Sequence, residues 1–244
     1  MEYDELKKRL DSIIDKAYQG GVTLMPFLDE AEASYVEETL SYHKTLNLYS
    51  DGLIINSDRK RYLITPYDTN INFKIIVFKI IYNKRFYELS HRSILGSLMG
   101  LGIKRECIGD IVITDKKDCF FAVTEEISPF IKQELKQIGK CPIDLIEYNE
   151  TVTNIIKYET KTTFVTSLRL DSIVSCAISK SRGDAQELIM ESLVTLNYRI
   201  CQNNSEVLKE GDIFSVRHYG KYLLSHVGGK SKSGRIIIDI SKRI

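Results

Sequence analysis

The chain has 244 residues, 43% hydrophobic and 27% charged, the balance of a folded protein of two or three domains rather than a disordered one. No apolar run approaches the length of a membrane-spanning helix. The charged amphipathic start, MEYDELKKRLDSIIDKAY, lacks the apolar core of a signal peptide, so a cytoplasmic protein is expected.

Taken in chain order, residues 1–73 read as a small mixed domain. Two helices are predicted, over 3–18 and 29–48, the second opening on Asp29 with Glu32 three residues later as a capping box. GGVTLMP between them reads as a loop because of its Gly pair and Pro. SDGLIINSDRKRYLITP then predicts two short strands around a charged turn at Asp58–Arg61.

Residues 74–150 alternate. FKIIVFKIIYN is a strand by its β-branched and aromatic content, and HRSILGSLMGLG is a helix with Ile94, Leu95, Leu98 and Leu101 on one side. DIVIT and CFFAVT are strands, EEISPFIKQELKQIG is a helix ended by Gly139, and PIDLIEY is a last strand. The order β-α-β-β-α-β is the split pattern of ferredoxin-like and RRM-like domains, so the fold class is α+β. Phe120 and Phe121 are adjacent, so only one can face outward, and base stacking on this sheet is not expected. Residues 151–165, rich in Thr and Lys, read as a linker or a connecting strand.

Residues 166–244 begin with two short helices. The first, over 168–179, places Leu170, Ile173, Val174, Ala177 and Ile178 on one face; the second starts at Ser181, with Asp184 completing a capping box. Short strands follow in VTLNYRI, EVLKEGDIFSVR, YGKYLLSHVGG and GRIIIDI. Charge is divided unevenly. Residues 161–244 hold 13 Lys/Arg against 8 Asp/Glu, and residues 1–160 hold 21 against 25. A basic module on a mildly acidic body is the pattern of a protein that grips a polyanion at one end.

The third segment resembles the S4 RNA-binding domain. The motifs are Arg169-Leu170-Asp171, then Ser181-Arg182 with Ala185, Leu188 and Ile189, then Val194 to Asn197, then Lys209, Gly211 and Asp212. Ser192 departs from the family pattern, which has Gly near the end of the second helix, a position that favours positive φ. The resemblance implies RNA contact through Arg169, Asp171, Lys180, Ser181, Arg182, Gln186, Asn197, Arg199, Lys209, Arg217 and Lys221. Lys230, Lys232 and Arg235, in the tail GGKSKSGRIII, are added to that set because their Gly-flanked loop can follow an irregular phosphate backbone. Arg182, at a helix start, is expected to face RNA and to matter little to the fold. The bland alternative for Arg169 and Asp171 is a local ion pair.

LSHRSILGSLMGLGIKRECIGDIVI and SDRKRYLITP, ahead of a C-terminal S4 domain, are similar to the YlmH family of bacterial S4 proteins. That resemblance spans nearly the whole chain and implies ribosome quality control: rRNA and tRNA on a large ribosomal subunit, a monomer, and no membrane or small-molecule partner. Arg59, Lys60, Arg61, Arg92, Lys104 and Arg105 are candidates for a secondary RNA-facing patch.

Other chemistry finds little support. The glycines at 96, 100 and 102 fit neither G-x-G-x-x-G nor a Walker loop and read as helix packing and an end cap. The five cysteines are scattered, with no metal-ligand spacing. No catalytic residue, metal or cofactor is assigned. A pseudouridine synthase would need its catalytic Asp in a G-R-L-D context; no R-L-D here follows a Gly, and Arg169-Leu170-Asp171 belongs to the S4 motif. An RNA-modifying enzyme and a cell-division interaction factor remain as alternatives.

Overall fold

The computed structural model describes residues 3–232 and 234–244, and they fall into two compact units, Met1–Ile155 and Ile156–Ile244. Each is described by itself. Ser233, in the tail segment, lies outside the described residues.

The first unit starts with α1 (Tyr3–Tyr18), β1 (Thr23–Leu28), α2 (Glu30–Ser41), β2 (Asn47–Asp51), β3 (Ile54–Ile55) and β4 (Lys60–Thr65). Leu6, Leu10, Ile13, Ile14 and Ala17 recur at helical spacing along α1. With Val36 and Leu40 of α2 they cover Met25, Leu28, Tyr62 and Ile64 of an antiparallel sheet in the order β1-β4-β2. Asp29 caps α2, and Glu32 returns the capping box. Two expectations need correcting. GGVTLMP is not all loop: Thr23 onwards is an edge strand, and Pro26 is tolerated because it sits where the register on β4 slips between Leu24 and Phe27. The second helix stops at Ser41 rather than 48, because Leu46 is buried in the core and Asn47–Asp51 pairs with β4.

Next come β5 (Ile75–Ile81), α3 (His91–Gly100), β6 (Ile108–Ile113), β7 (Cys119–Thr124), α4 (Ser128–Glu134), β8 (Gln137–Ile138), β9 (Cys141–Pro142), β10 (Asp144–Glu147) and β11 (Val152–Thr153). The four long strands form an antiparallel sheet in the order β10-β5-β7-β6, the topology of the split βαβ pattern. One face buries Phe78, Ile80, Phe121 and Val123 under Ile94 and Leu98 of α3 and Ile131 of α4. The predicted long second helix ends at Glu134, and Gly139, at φ 59°, turns the small β8–β9 hairpin instead.

The sheet's other face carries Ile75, Val77, Val112, Phe120 and Ala122, which share a core with Phe27 of β1, Ile54 of β3 and Val152 of β11. The stretches read as 1–73 and 74–150 therefore meet inside one unit. Gly109 permits the contact: a Cβ there would lie 2.7 Å from Phe27 Cε1. Phe120 faces this side but is only 5% exposed.

The second unit contains β12 (Tyr158–Val165), α5 (Leu170–Ile178), α6 (Arg182–Met190), β13 (Val194–Leu196), β14 (Arg199–Ile200), β15 (Ile213–Val216), β16 (Gly220–Lys230) and β17 (Ile236–Arg243). Its six-stranded sheet runs β12-β17-β16-β15-β13-β14. The stretch that reads as a linker or a connecting strand supplies an edge strand, Tyr158–Val165 pairing residue for residue with Arg243–Ile236. Leu170, Ile173, Val174, Ala185 and Ile189 of the two helices pack on Phe214, Leu224, Ile238 and other sheet residues. Among the described residues, no helix is long and apolar enough to cross a membrane.

Candidate nucleic-acid interface

Two short helices and their corner organise the second unit. Ser179 ends α5 in the left-handed conformation (φ 55°), and Ser181 caps α6 by accepting from Asp184 N at 3.1 Å. Ser192 takes the left-handed place where the S4 pattern has Gly, at φ 62°. Leu193 N bonds Leu188 O and Ser192 N bonds Ile189 O, the two bonds of a Schellman ending, and Gln202 Nε2 donates to Ser192 Oγ. Helix two therefore ends as the family pattern requires, with a serine carrying the backbone strain.

Asp171 is the centre of the corner. Its side chain is fully buried. Arg182 Nε and Nη2 each donate to it at 3.0 Å, Gln186 Nε2 donates at 2.8 Å, and Arg169 Nε and Nη2 donate at 3.3 and 3.2 Å. Burial by itself would raise this carboxyl, but hydrogen bonds from Arg169, Gln186 and Arg182 hold it down at about 2. The expectation for these residues changes accordingly. Asp171 cannot touch RNA because it is enclosed. Arg169, Arg182 and Gln186 spend their polar ends fastening the first turn of α6 to the first turn of α5. The local ion pair between Arg169 and Asp171 is present, and Arg182 belongs to the fold rather than standing clear of it.

Asn197 is also committed. Its amide donates to Asp212 Oδ1 (2.9 Å) and its carbonyl accepts from Ile213 N (3.1 Å), while Asp212 Oδ2 accepts from Lys209 N (2.7 Å). The Asn197-Tyr198 turn, with both residues at positive φ, is thereby locked to the turn that carries Lys209. Tyr198, a residue the motif reading passes over, lies under the Lys221 ammonium, 5.0 Å from its ring centre.

The remaining expected cations ring this framework. Lys180 is exposed at the α5–α6 corner, Lys209 at the locked turn, and Arg217 at the end of β15, where its N–H meets Leu193 O beyond α6. Arg199 lies on the short edge strand β14. Lys230, Lys232 and Arg235 are exposed at the tip of the β16–β17 hairpin. Rigid turns holding exposed cations suit a phosphate backbone, which is gripped by charge and shape.

The secondary patch divides. Arg61 is 6% exposed and donates to Met25 O, Phe73 O and Lys74 O. Arg59 donates to Ile108 O and Phe27 O, and Arg105 to Ile108 O. Burial lowers all three guanidinium pKa values, that of Arg105 to about 10, which leaves Arg105 charged at neutral pH. Arg61 is thus an internal staple and not an RNA-facing residue, while Arg59 and Arg105, half-buried, also spend donors on backbone carbonyls. They join the β1 region and the β3–β4 turn to β6, where buried Asp110 accepts from Asp58 N and Arg59 N. Arg92 and Lys104 are exposed, and Lys60 is half-buried. Partial burial and then Arg105 push the His91 imidazole down, which leaves it neutral near pH 7. Among the described residues no cluster of His, Cys, Asp and Glu could hold a metal.

Comparison with known proteins converges on one family. Residues 168–214 match the S4 domain, and residues 68–152 match the model described as "Putative RNA-binding domain in YlmH"; together these cover more than half of the chain. The chain is similar to the YlmH family. It is 29% identical, over 96% of its own length and 95% of the relative's, to "Ribosome-associated protein quality control protein P2" of Bacillus subtilis (strain 168). A solved structure, "Cell division protein ylmH from Streptococcus pneumoniae", is 25% identical and aligns over 61% of this chain and 92% of that one, with a TM-score of 0.51. Each unit thus contains a stretch that matches one of these two models. The S4 match contains Asp171 and the locked turns, whereas Lys221, Lys230, Lys232 and Arg235 lie beyond its end.

Proposed function

We propose that this chain is a non-catalytic RNA-binding factor of the YlmH type that acts as a monomer in the cytoplasm. It occupies rRNA, and tRNA beside it, on a large ribosomal subunit in the handling of stalled peptidyl-tRNA complexes. The observation that carries this reading is the S4 framework, in which the buried Asp171 cluster and the Asn197–Asp212 lock hold turns whose exposed cations face outward. Similarity along nearly the whole of a relative named for ribosome-associated quality control supports the ribosome as the partner. The R-L-D aspartate of the S4 motif is enclosed by guanidinium groups, which speaks against its use as a nucleophile.

Co-sedimentation with purified large and small subunits across a potassium chloride series tests the proposal. Binding to the large subunit should fall steeply with salt; six phosphate contacts give a log–log slope of roughly −4 to −5. Binding to the small subunit alone, or a new modified nucleotide in the recovered RNA, sinks the reading. A flat salt response would favour a protein-interaction role, the alternative that the name of the pneumococcal structure supports.

A further inference from the structure

A cleft of about 470 Å³ opens in the first unit between Leu53–Ile55 and Ile75–Val77, with Tyr148–Thr151 along a third side. That volume is in the range of pockets that enclose a small ligand or a few residues of a peptide. RNA binding by the S4 unit makes no use of it.

Backbone, side chains and charge describe what the cleft can hold. β10 pairs with β5 only over Phe78–Ile81; Tyr148 N then reaches Val77 O and the chain turns away. Among the described residues, no strand continues along that edge beside Ile75 and Ile76. β3 sits in a two-stranded sheet with β11 as its partner, and both its carbonyls are taken, Ile54 O by Ser57 N and Ile55 O by Asn154 N. Both strands line the cleft, and the edge of β5 at Ile75 is open to an added strand.

The floor is apolar, formed by buried Ile54, Ile75 and Val77, while Leu53 and Ile55 at the rim are 47% and 50% exposed. Leu53 is held at φ 56° and Asn56 at φ 60°, with Asp51 Oδ1 accepting from Leu53 N at 2.8 Å. This turn holds Leu53 at the rim, where its side chain extends the apolar floor toward solvent. Among the described residues the charged groups lining the cleft are Asp51 and Glu150, the latter accepting from Tyr148 OH at 2.9 Å, and Lys79 Nζ lies 5.8 Å from the centre of the Tyr148 ring without lining the cleft. A phosphate backbone is repelled from such a rim.

We propose that this cleft docks a short extended segment of a protein partner in which aliphatic residues alternate with Lys or Arg. The segment adds as a strand beside β5 and lies against the apolar side of β3. Its aliphatic side chains fill the floor, and its cations meet Asp51 and Glu150 at the rim.

The test uses the isotope-labelled full chain and two capped pentapeptides, Val-Lys-Val-Lys-Val and Val-Glu-Val-Glu-Val, followed by amide chemical shifts. The lysine peptide should shift the Ile54, Ile55, Ile75 and Ile76 amides saturably, and the glutamate peptide should bind at least about tenfold more weakly. The double variant Asp51→Asn, Glu150→Gln keeps the oxygens that Leu53 N and Tyr148 OH need, and should lower lysine-peptide affinity about fivefold or more with an otherwise unchanged spectrum. The proposal is overturned by an absence of saturable shifts, by equal response to both peptides, or by unchanged affinity in the double variant. It is also overturned if tRNA saturably shifts the same four amides, which would make the cleft an RNA site. A concentration-dependent dimer abolished by Leu53→Lys would assign the cleft to a second copy and overturn it likewise.

Discussion

Replacing Asp171 by Asn removes a buried charge that five hydrogen bonds hold in place. In the folded chain this carboxyl titrates at about 2, against an ordinary 3.8, so its ionised form favours folding by about 2.5 kcal/mol at neutral pH. The partner Arg side chains are 36% and 49% exposed, and solvent screening trims that contribution to about 2 kcal/mol. An asparagine amide would also turn donors toward donors, adding about 1 kcal/mol. A loss near 3 kcal/mol in a unit of this size lowers its melting temperature by about 12–24 °C. Amide hydrogen exchange at Ile173 and Val174, measured on the whole chain, isolates the unit concerned. The pH dependence has a definite sign. A carboxyl whose folded pKa is depressed contributes above its unfolded value and loses that contribution as pH falls through the folded one. The wild-type advantage should therefore be full at pH 5 and close toward pH 2. A loss under about 0.5 kcal/mol, or an advantage still intact at pH 2, would refute the view that Asp171 ties α5 to α6.

Three further outcomes follow from the same contacts. Lys209→Ala with Arg217→Ala should weaken RNA binding and flatten the salt slope by about 2, with melting unchanged, as read by fluorescence anisotropy on an rRNA fragment across a salt series. Arg61→Ala strips donors from Met25 O, Phe73 O and Lys74 O, and should destabilise the first unit by about 3 kcal/mol or more in urea unfolding while the folded fraction binds RNA normally. Gly109→Ala drives a methyl group to 2.7 Å from Phe27 Cε1 and 3.0 Å from Ala122 Cβ, and should cost about 1–3 kcal/mol in calorimetry.

Local signals were strongest where chemistry acts within a few residues. Ser181 with Asp184 and Asp29 with Glu32 announce helix starts, and both capping boxes form. The alternation through 74–150 announces the order of the split βαβ sheet, because apolar period follows backbone period. Errors arose where a distant partner decided the outcome. Pro26 suggests a loop until β4 is seen to accept an edge strand with a slipped register. Residues 42–48 could continue a helix until Leu46 finds the core and Asn47–Asp51 finds β4. The 158–165 stretch, exposed and polar, reads equally as linker or strand, and the full edge that β17 offers decides for the strand.

The candidate interface divides in the same way. By itself the sequence determined that the C-terminal third is basic, that it carries the S4 motif order, and that Ser192 occupies a place suited to Gly. It could not say what each cation does, since Arg59, Arg61 and Lys104 look alike along the chain. Only the tertiary structure decided that Arg61 serves three buried carbonyls, that Arg182 serves Asp171, and that Lys209 and Arg217 stand outside. The physical reason is that a guanidinium's role depends on which acceptors the fold brings within 3 Å, and those acceptors come from residues far away in sequence.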